Sequence, residues 1–170
     1  MKTKSLIVLS VLTILCASNA FAIITVPLKC SNALPDGNDY ATVKIELQTG
    51  SCSGYNGVKI TTKANQSVLV PGSNFGIQKF GFNYTGDPKS LQITVYEPDG
   101  ITVDSAWKLK YGQNISEFDV FMNALQGTGT NRNDPLIIKI CKANTNLTEA
   151  DFNVENSLGY NFVAHIADFT

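Results

Sequence analysis

Residues 41–48, ATVKIELQ, alternate apolar and polar side chains one for one. Successive side chains of an extended segment point to opposite faces, so this order places all the apolar groups on one face. An amphipathic helix would need apolar positions every three or four residues instead. The stretch therefore predicts a β-strand buried on one face, with Ala41, Val43, Ile45 and Leu47 directed inward.

Further strand patterns follow along the chain, at 58–61, 77–84, 91–96, 107–111, 118–125, 136–141 and 160–168. Glycine, proline and asparagine turns separate them, among them Pro35-Asp36-Gly37, Gly54 to Gly57 and Pro71-Gly72. The one helical pattern, at 148–152, is long enough for a turn or two. Eight or nine short strands with a turn every dozen residues predict an all-β fold, an antiparallel β-sandwich that is jelly-roll-like.

Residues 1–22 have the three parts of a secretory signal peptide. Lys2 and Lys4 precede an apolar stretch, 6–17 (LIVLSVLTILCA), which is too short to span a bilayer. The small-x-small sequence at 20–22 (AFA) predicts cleavage after Ala22, and an uncut anchor is the alternative. We therefore expect a secreted or periplasmic protein with a single domain at 23–170.

Removing the leader makes the chain more acidic. Residues 1–22 contain two of the 13 basic side chains and none of the 14 acidic ones, which leaves 11 and 14 and a net charge of −3. Nucleic acids and anionic membranes require clustered Lys and Arg, so neither is an expected partner. No second stretch reaches spanning length, so no membrane association is expected after cleavage.

Three cysteines remain after Cys16 leaves with the leader, and an odd number suits one disulfide and one free thiol. We predict a Cys30–Cys52 disulfide, which would close a loop of about 20 residues and contribute about 3 kcal/mol, with Cys141 free. A Cys30–Cys141 pair is the alternative if the first strand lies beside the one ending at Cys141. Zinc is not expected because the cysteines and the one histidine lack paired ligand spacing.

The second half of the chain carries a series of turn-and-strand motifs: 75–77 (FGI), 80–83 (FGFN), 114–118 (NISEF), 127–129 (GTG), 132–136 (RNDPL), 150–152 (ADF), 156–160 (NSLGY) and 162–166 (FVAHI). In these motifs, residues 40–169 resemble the extracellular β domain of bacterial exported proteins, many of which carry a PEP-CTERM tail read by exosortase. The resemblance implies export from a bacterium and supplies no catalytic set. No such tail follows Thr170, so if the chain is complete we expect simple secretion or periplasmic residence.

A loop with three oxygen-bearing side chains is the candidate metal site. Asp36, Asn38 and Asp39 suit calcium, although they lack the spacing of an EF-hand, and a plain Pro-Asp-Gly turn is the favoured reading. No cofactor is expected. The Gly-Thr-Gly-Thr sequence at 127–130 lacks the ending of a phosphate loop and predicts a hairpin bend. Arg132 and Asp134 are expected to form a local ion pair.

No catalytic residues are predicted. His165, the only histidine, alternates out of phase with its apolar neighbours and is expected on the less buried face of a strand. No G-x-S-x-G elbow supplies a serine nucleophile. The acids mostly fall at turns and strand ends: Asp87, Asp99, Asp104, Glu117, Asp119 and Asp134. Four N-glycosylation sequons, at Asn65, Asn83, Asn114 and Asn146, are expected to be unmodified turn residues.

The predicted function is a secreted, non-catalytic structural or interaction domain of a bacterial surface, matrix or fibre. Its expected partners are further copies of the chain or an extracellular polysaccharide. The first alternative is a carbohydrate-binding module, in which sugars would stack on exposed members of the set Tyr55, Tyr96, Trp107 and Tyr111. The second alternative is a secreted hydrolase, for which the sequence offers no positive evidence.

Overall fold

The alternating stretches form strands in a computed structural model that describes residues 23–112, 117–124 and 132–170. These residues contain nine strands: β1 (Ile23–Leu28), β2 (Ala41–Cys52), β3 (Tyr55–Ala64), β4 (Pro71–Phe82), β5 (Leu91–Tyr96), β6 (Trp107–Tyr111), β7 (Val120–Ala124), β8 (Leu136–Lys142) and β9 (Phe162–Phe169). Short 3-10 helices lie at Pro88–Ser90 and Glu149–Phe152. The second of these confirms the brief helical pattern seen in the sequence.

The strands form two antiparallel sheets. The five-stranded sheet has the order β1-β2-β3-β8-β5, and the four-stranded sheet has the order β6-β7-β4-β9. After the β1–β3 meander the chain changes sheet at most of its connections. The predicted all-β sandwich is confirmed.

The core lies between the sheets and is formed by the inward side of the alternation. Val43 and Ile45 are fully buried there, together with Ile60, and face Phe80 and Met122 of the other sheet. Phe80 packs against Phe82 and Phe162 with ring centroids 6.2 and 6.0 Å apart. A smaller cluster at one end joins Tyr40, Ala64 and Leu69. The phase predicted for residues 41–45 is therefore the observed one.

β2, β3 and β4 extend beyond the ranges that the sequence predicted. The hairpin between β2 and β3 turns at Ser53 and Gly54 alone, both with positive φ, which is typical of a tight two-residue turn whose twist suits the strands. Residues 55–57 therefore belong to β3 and not to the predicted loop. β4 begins at Pro71, where the sequence predicted a turn. The first part of this strand was not recognised because register shifts in its pairing with β9 interrupt the alternation of apolar and polar residues.

The predicted disulfide is wrong. Cys52 is joined to Cys141, with Cα atoms 5.6 Å apart, and Cys30 is a free, exposed cysteine. The physical reason is the sheet order: β8 lies beside β3, so the end of β8 comes next to the tip of the β2–β3 hairpin. Cys30 lies beyond the end of β1, at the other side of β2.

In the described part of the chain, no helix is long and apolar enough to cross a membrane.

Candidate functional site

The candidate calcium loop does not gather its side chains around one point. Asp36 accepts a hydrogen bond from the Ser31 backbone N–H at 2.9 Å, whereas Asp39 pairs with Lys29 at 3.4 Å. Asn38 donates from its amide to the Tyr40 hydroxyl. Within the described ranges, no three His, Cys, Asp or Glu side chains are placed to hold a metal ion. The loop is instead tied to its own flanks.

His165 lies on the exposed outer face of β9, as its phase predicted. Partial burial lowers its pKa below the ordinary value of 6.5, and the positive charges of Lys79 and Arg132 lower the pKa further. The hydrogen bonds found in the described residues link no nucleophile or carboxylate to its ring. His165 therefore belongs to a cationic surface.

The predicted ion pair between Arg132 and Asp134 does not form. Arg132 donates to the Asn74 carbonyl oxygen at 2.6 Å. Asp134 accepts from the Ala64 backbone N–H and from the Gln66 side-chain amide, both at 2.9 Å. The two residues share a loop, but their side chains bind different neighbours because Asn133 between them enters the β4 ladder through Ile77.

Asp104 is a buried acid that the sequence did not distinguish from the exposed acids of turns. One carboxylate oxygen accepts from the Trp107 indole N–H at 2.9 Å and from the Asn133 amide at 3.0 Å. The other accepts from the Ala106 backbone N–H at 2.9 Å. This polar cluster joins the β5–β6 connection to the segment before β8, which is a structural role.

The aromatic candidates for sugar stacking fall into different environments. Trp107 is buried at 8% exposure and Tyr111 packs against the core, so neither presents a free ring. Tyr55 is exposed at the start of β3. Tyr96 is half-buried, and the Lys139 ammonium lies 4.5 Å from its ring centroid. Tyr96 is therefore the candidate that lies beside other binding groups.

A polar groove of about 200 Å³ crosses the outer face of the five-stranded sheet, where Tyr96 lies. Its polar lining comes from β2, β5 and β8 and consists of Gln48, Ser51, Gln92, Thr94, Tyr96, Lys139 and Cys141. The hairpin places Gln48 opposite Gly57, and β5 places Gln92 opposite Cys141. The groove is a concave site in which several hydrogen-bonding side chains converge around an aromatic ring.

The disulfide shapes one end of this groove. A Cβ atom on Gly57 would lie 2.4 Å from the Cys52 sulfur and 2.8 Å from the Ile140 carbonyl oxygen. Glycine at 57 thus allows the hairpin tip to lie against β8, where Cys52 and Cys141 are joined. The cross-link fixes the position of Ser51 relative to Gln92 on the far strand.

A charged cluster lies on the same face. Glu46 contacts Lys59 at 2.8 Å and Lys44 at 2.9 Å. Partial burial raises the pKa of Glu46, but the hydrogen bonds from Lys59 and Lys44 outweigh that effect and hold the pKa below its usual value. These three charges neutralise much of one another, so this part of the face is not a strong electrostatic site.

The remaining predicted features have structural placements. The amides of Asn65, Asn83 and Asn146 make hydrogen bonds, and all three residues lie in connections outside the strands, with Asn83 buried at 3% exposure. Asn114 and the predicted bend at 127–130 lie outside the described residues.

Comparisons with protein families, curated proteins and solved structures found no match to this chain. The resemblance to exported bacterial β domains therefore stays a prediction.

The groove was not predicted from the sequence. Its residues carried a usable signal, since Gln92, Thr94 and Tyr96 occupy the outward phase of one strand. What the sequence lacked was the strand order that brings β5 and the β2–β3 hairpin to opposite sides of β8.

Proposed function

We propose that this protein is an exported, non-catalytic interaction domain that holds a partner on its outer sheet faces, at a cell surface or in an extracellular matrix or fibre. The polar groove on the five-stranded sheet supports this proposal. Its amide and hydroxyl groups donate and accept hydrogen bonds without a change of protonation, which suits recognition. Nucleophilic catalysis would need a base beside a nucleophile, and His165 lies on the other sheet.

The free groups of the groove are available to a partner. In the described part of the chain, the side chains of Gln92 and Thr94 make no hydrogen bond, whereas Ser51 is held by its bond to the Gln48 carbonyl oxygen at 2.9 Å. The disulfide also limits the reorganisation that binding would require, since rigid sites lose less conformational entropy. A disulfide suits an oxidising compartment and is compatible with the predicted export.

The test fills the groove without changing the fold. We expect Thr94→Arg to abolish retention of the protein on the surface or matrix of the cells that export it, because a long side chain would occupy the groove. Thr25→Arg, on the outward phase of edge strand β1 of the same sheet, is the matched control and should be retained like the wild type. Equal retention of both variants would contradict the proposal.

A carbohydrate-binding module is the second candidate, favoured by Tyr96. An aromatic ring beside amides and hydroxyls is a common arrangement for binding sugars, and Lys139 fixes the ring from one side. We expect Tyr96→Ala to remove binding to a neutral glycan identified on a glycan array. Tyr55→Ala, an exposed tyrosine outside the groove lining, should leave that binding intact. Absence of binding to any neutral glycan would reject this candidate.

A further inference from the structure

Four residues form a straight row across the outer face of the four-stranded sheet. Lys108 of β6 is paired with Asn123 of β7, Asn123 with Lys79 of β4, and Lys79 with His165 of β9. Directly paired residues project from the same face of a sheet. With strands about 4.8 Å apart, the row spans roughly 14 Å. It runs perpendicular to the strands and reaches both edges of the sheet.

The row is cationic and its charges are not neutralised. In the described ranges, no carboxylate lies within 4.0 Å of Lys79, Lys108 or Lys110, the last of which lies two residues along β6 on the same face. By contrast, the ion pairs that are present elsewhere hold Lys29, Lys44 and Lys59.

A second observation places another cation near this row. The pKa of His165 is lowered first by burial and then by the charges of Lys79 and Arg132. The Arg132 guanidinium is therefore close enough to His165 to add its charge to this end of the row. The expected mature chain is nevertheless acidic, with 11 basic and 14 acidic side chains once two lysines leave with residues 1–22. Positive side chains are thus concentrated on this one face, although the expected mature protein is acidic as a whole.

We propose that this cationic row binds an acidic polysaccharide, laid across the strands with its carboxylates at the lysines and its hydroxyl groups at Asn123. The inference rests on the proposed interaction function and names a partner class for it. The two lysines of the row are separated by the neutral Asn123, which suits a polymer that carries one carboxylate per sugar. Duplex DNA presents a charge every 1.7 Å or so and is bound by denser arrays of Lys and Arg, while the net negative charge of the remaining surface repels it.

The test measures binding of polygalacturonate to the purified exported protein by calorimetry at low salt. We expect the Lys79→Gln/Lys108→Gln variant to bind about 25-fold more weakly, since each lysine near an anionic surface contributes about fivefold. Lys63→Gln/Lys89→Gln removes the same charge from other places, β3 and the Pro88–Ser90 helix, and should bind like the wild type. A neutral polysaccharide of equal length should not bind.

A pH series adds a readout that depends on His165. The charged groups near its ring are Lys79 from β4 and Arg132 from the segment before β8, and Asp168 lies on its own strand. Uronate carboxylates stay ionised down to about pH 5, whereas the His165 imidazole, whose pKa is lowered by burial and by Lys79 and Arg132, gains its proton as pH falls below the ordinary value of 6.5. Wild-type binding should therefore tighten as pH falls, and His165→Gln should lose most of that increase.

Three results would overturn the inference: no binding of polygalacturonate, equal binding of the neutral polymer, or equal weakening by the two double-lysine variants. Tighter binding of duplex DNA or of anionic vesicles, with the same loss in Lys79→Gln/Lys108→Gln, would show that the partner class is wrong. The groove test is independent of all these. If Thr94→Arg loses surface retention while no variant binds polygalacturonate, the inference fails and the proposed function stands.

Discussion

Single residues in this protein have roles that their type alone does not reveal. Asp104 resembles the turn acids Asp87 and Asp99 in sequence, yet it is 9% exposed and accepts three hydrogen bonds. A buried carboxylate is tolerated only where such donors surround it. The donors come from positions 106, 107 and 133, and the last of these is too distant in sequence to be anticipated. The cluster could therefore not be predicted, although the burial of Trp107 could.

Removing that carboxylate should destabilise the fold strongly. Asp104→Ala leaves the buried Trp107 indole without its acceptor, and it leaves the buried Asn133 amide with the Tyr96 carbonyl oxygen alone, at 3.3 Å. We expect the free energy of unfolding in urea to fall by about 3 kcal/mol. Asp99→Ala, which removes an exposed acid that caps a turn, should cost clearly less. Similar losses for both variants would show that the buried cluster contributes no more to the free energy of unfolding than an exposed turn cap does.

His165 should report its neighbours through its titration. The unfolded chain has the ordinary pKa near 6.5, whereas burial and the charges of Lys79 and Arg132 lower the folded pKa. As pH falls, the unfolded state therefore takes up the proton at a higher pH than the folded state does. The free energy of unfolding decreases as pH falls from about 6.5 through the lower folded pKa. We expect Lys79→Gln to raise the pKa of His165 in an NMR titration. Lys63→Gln should leave it unchanged, and an equal shift in both variants would refute the assigned cause.

At the scale of elements, strands with an uninterrupted period of two were predictable and irregular ones were not. β2 was recognised because residues 41–48 alternate without a break. β4 was recognised only from residue 77 because its register shifts disturb the alternation before that point. Pairing between distant strands leaves no local signal, and this explains the wrong disulfide: Cys52 and Cys141 are 89 residues apart in sequence.

The cross-link between the β2–β3 hairpin and β8 should contribute substantially to stability. Closing a loop of 89 residues restricts the unfolded chain, and we expect replacing Cys52 and Cys141 together by Ala to lower the free energy of unfolding by about 4–5 kcal/mol. Cys30→Ala should change it little, because that thiol is exposed and unbonded. A non-reducing peptide map should contain a Cys52–Cys141 linked peptide and an alkylated Cys30. A Cys30–Cys52 peptide would contradict the observed pairing.

For the whole molecule, the sandwich architecture followed from the number and spacing of strands, but its surfaces did not. Net charge predicted neither a nucleic acid nor an anionic membrane as a partner, and it gave no sign of a local cationic face, because summing charges over the chain hides where they lie. The cationic row draws Lys79, Lys108 and His165 from three strands, and each residue is ordinary on its own strand. Strand parity shows which face a residue occupies, whereas only the sheet order shows which residues share a row.

The first strand begins where the predicted signal peptide ends, so the position of cleavage decides whether this strand of the sandwich is complete. β1 begins at Ile23, directly after the predicted cleavage point, and forms the edge of the five-stranded sheet beside β2. Its inward residues Ile24, Val26 and Leu28 pack against the core. Cleavage after Ala22 would therefore leave β1 complete, and N-terminal mass spectrometry of the exported protein should find Ile23 first.

Deleting residues 23–28 should expose the edge of β2 and the apolar surface that β1 covers. We expect a loss of about 3 kcal/mol in the free energy of unfolding, from three partly buried side chains and the lost ladder bonds. We also expect concentration-dependent association in light scattering, because an unpaired strand edge accepts strands from other chains. A synthetic peptide IITVPL should restore both properties by pairing with β2, whereas a scrambled peptide should not. A deletion variant as stable and monomeric as the wild type would show that β1 is dispensable to the sandwich.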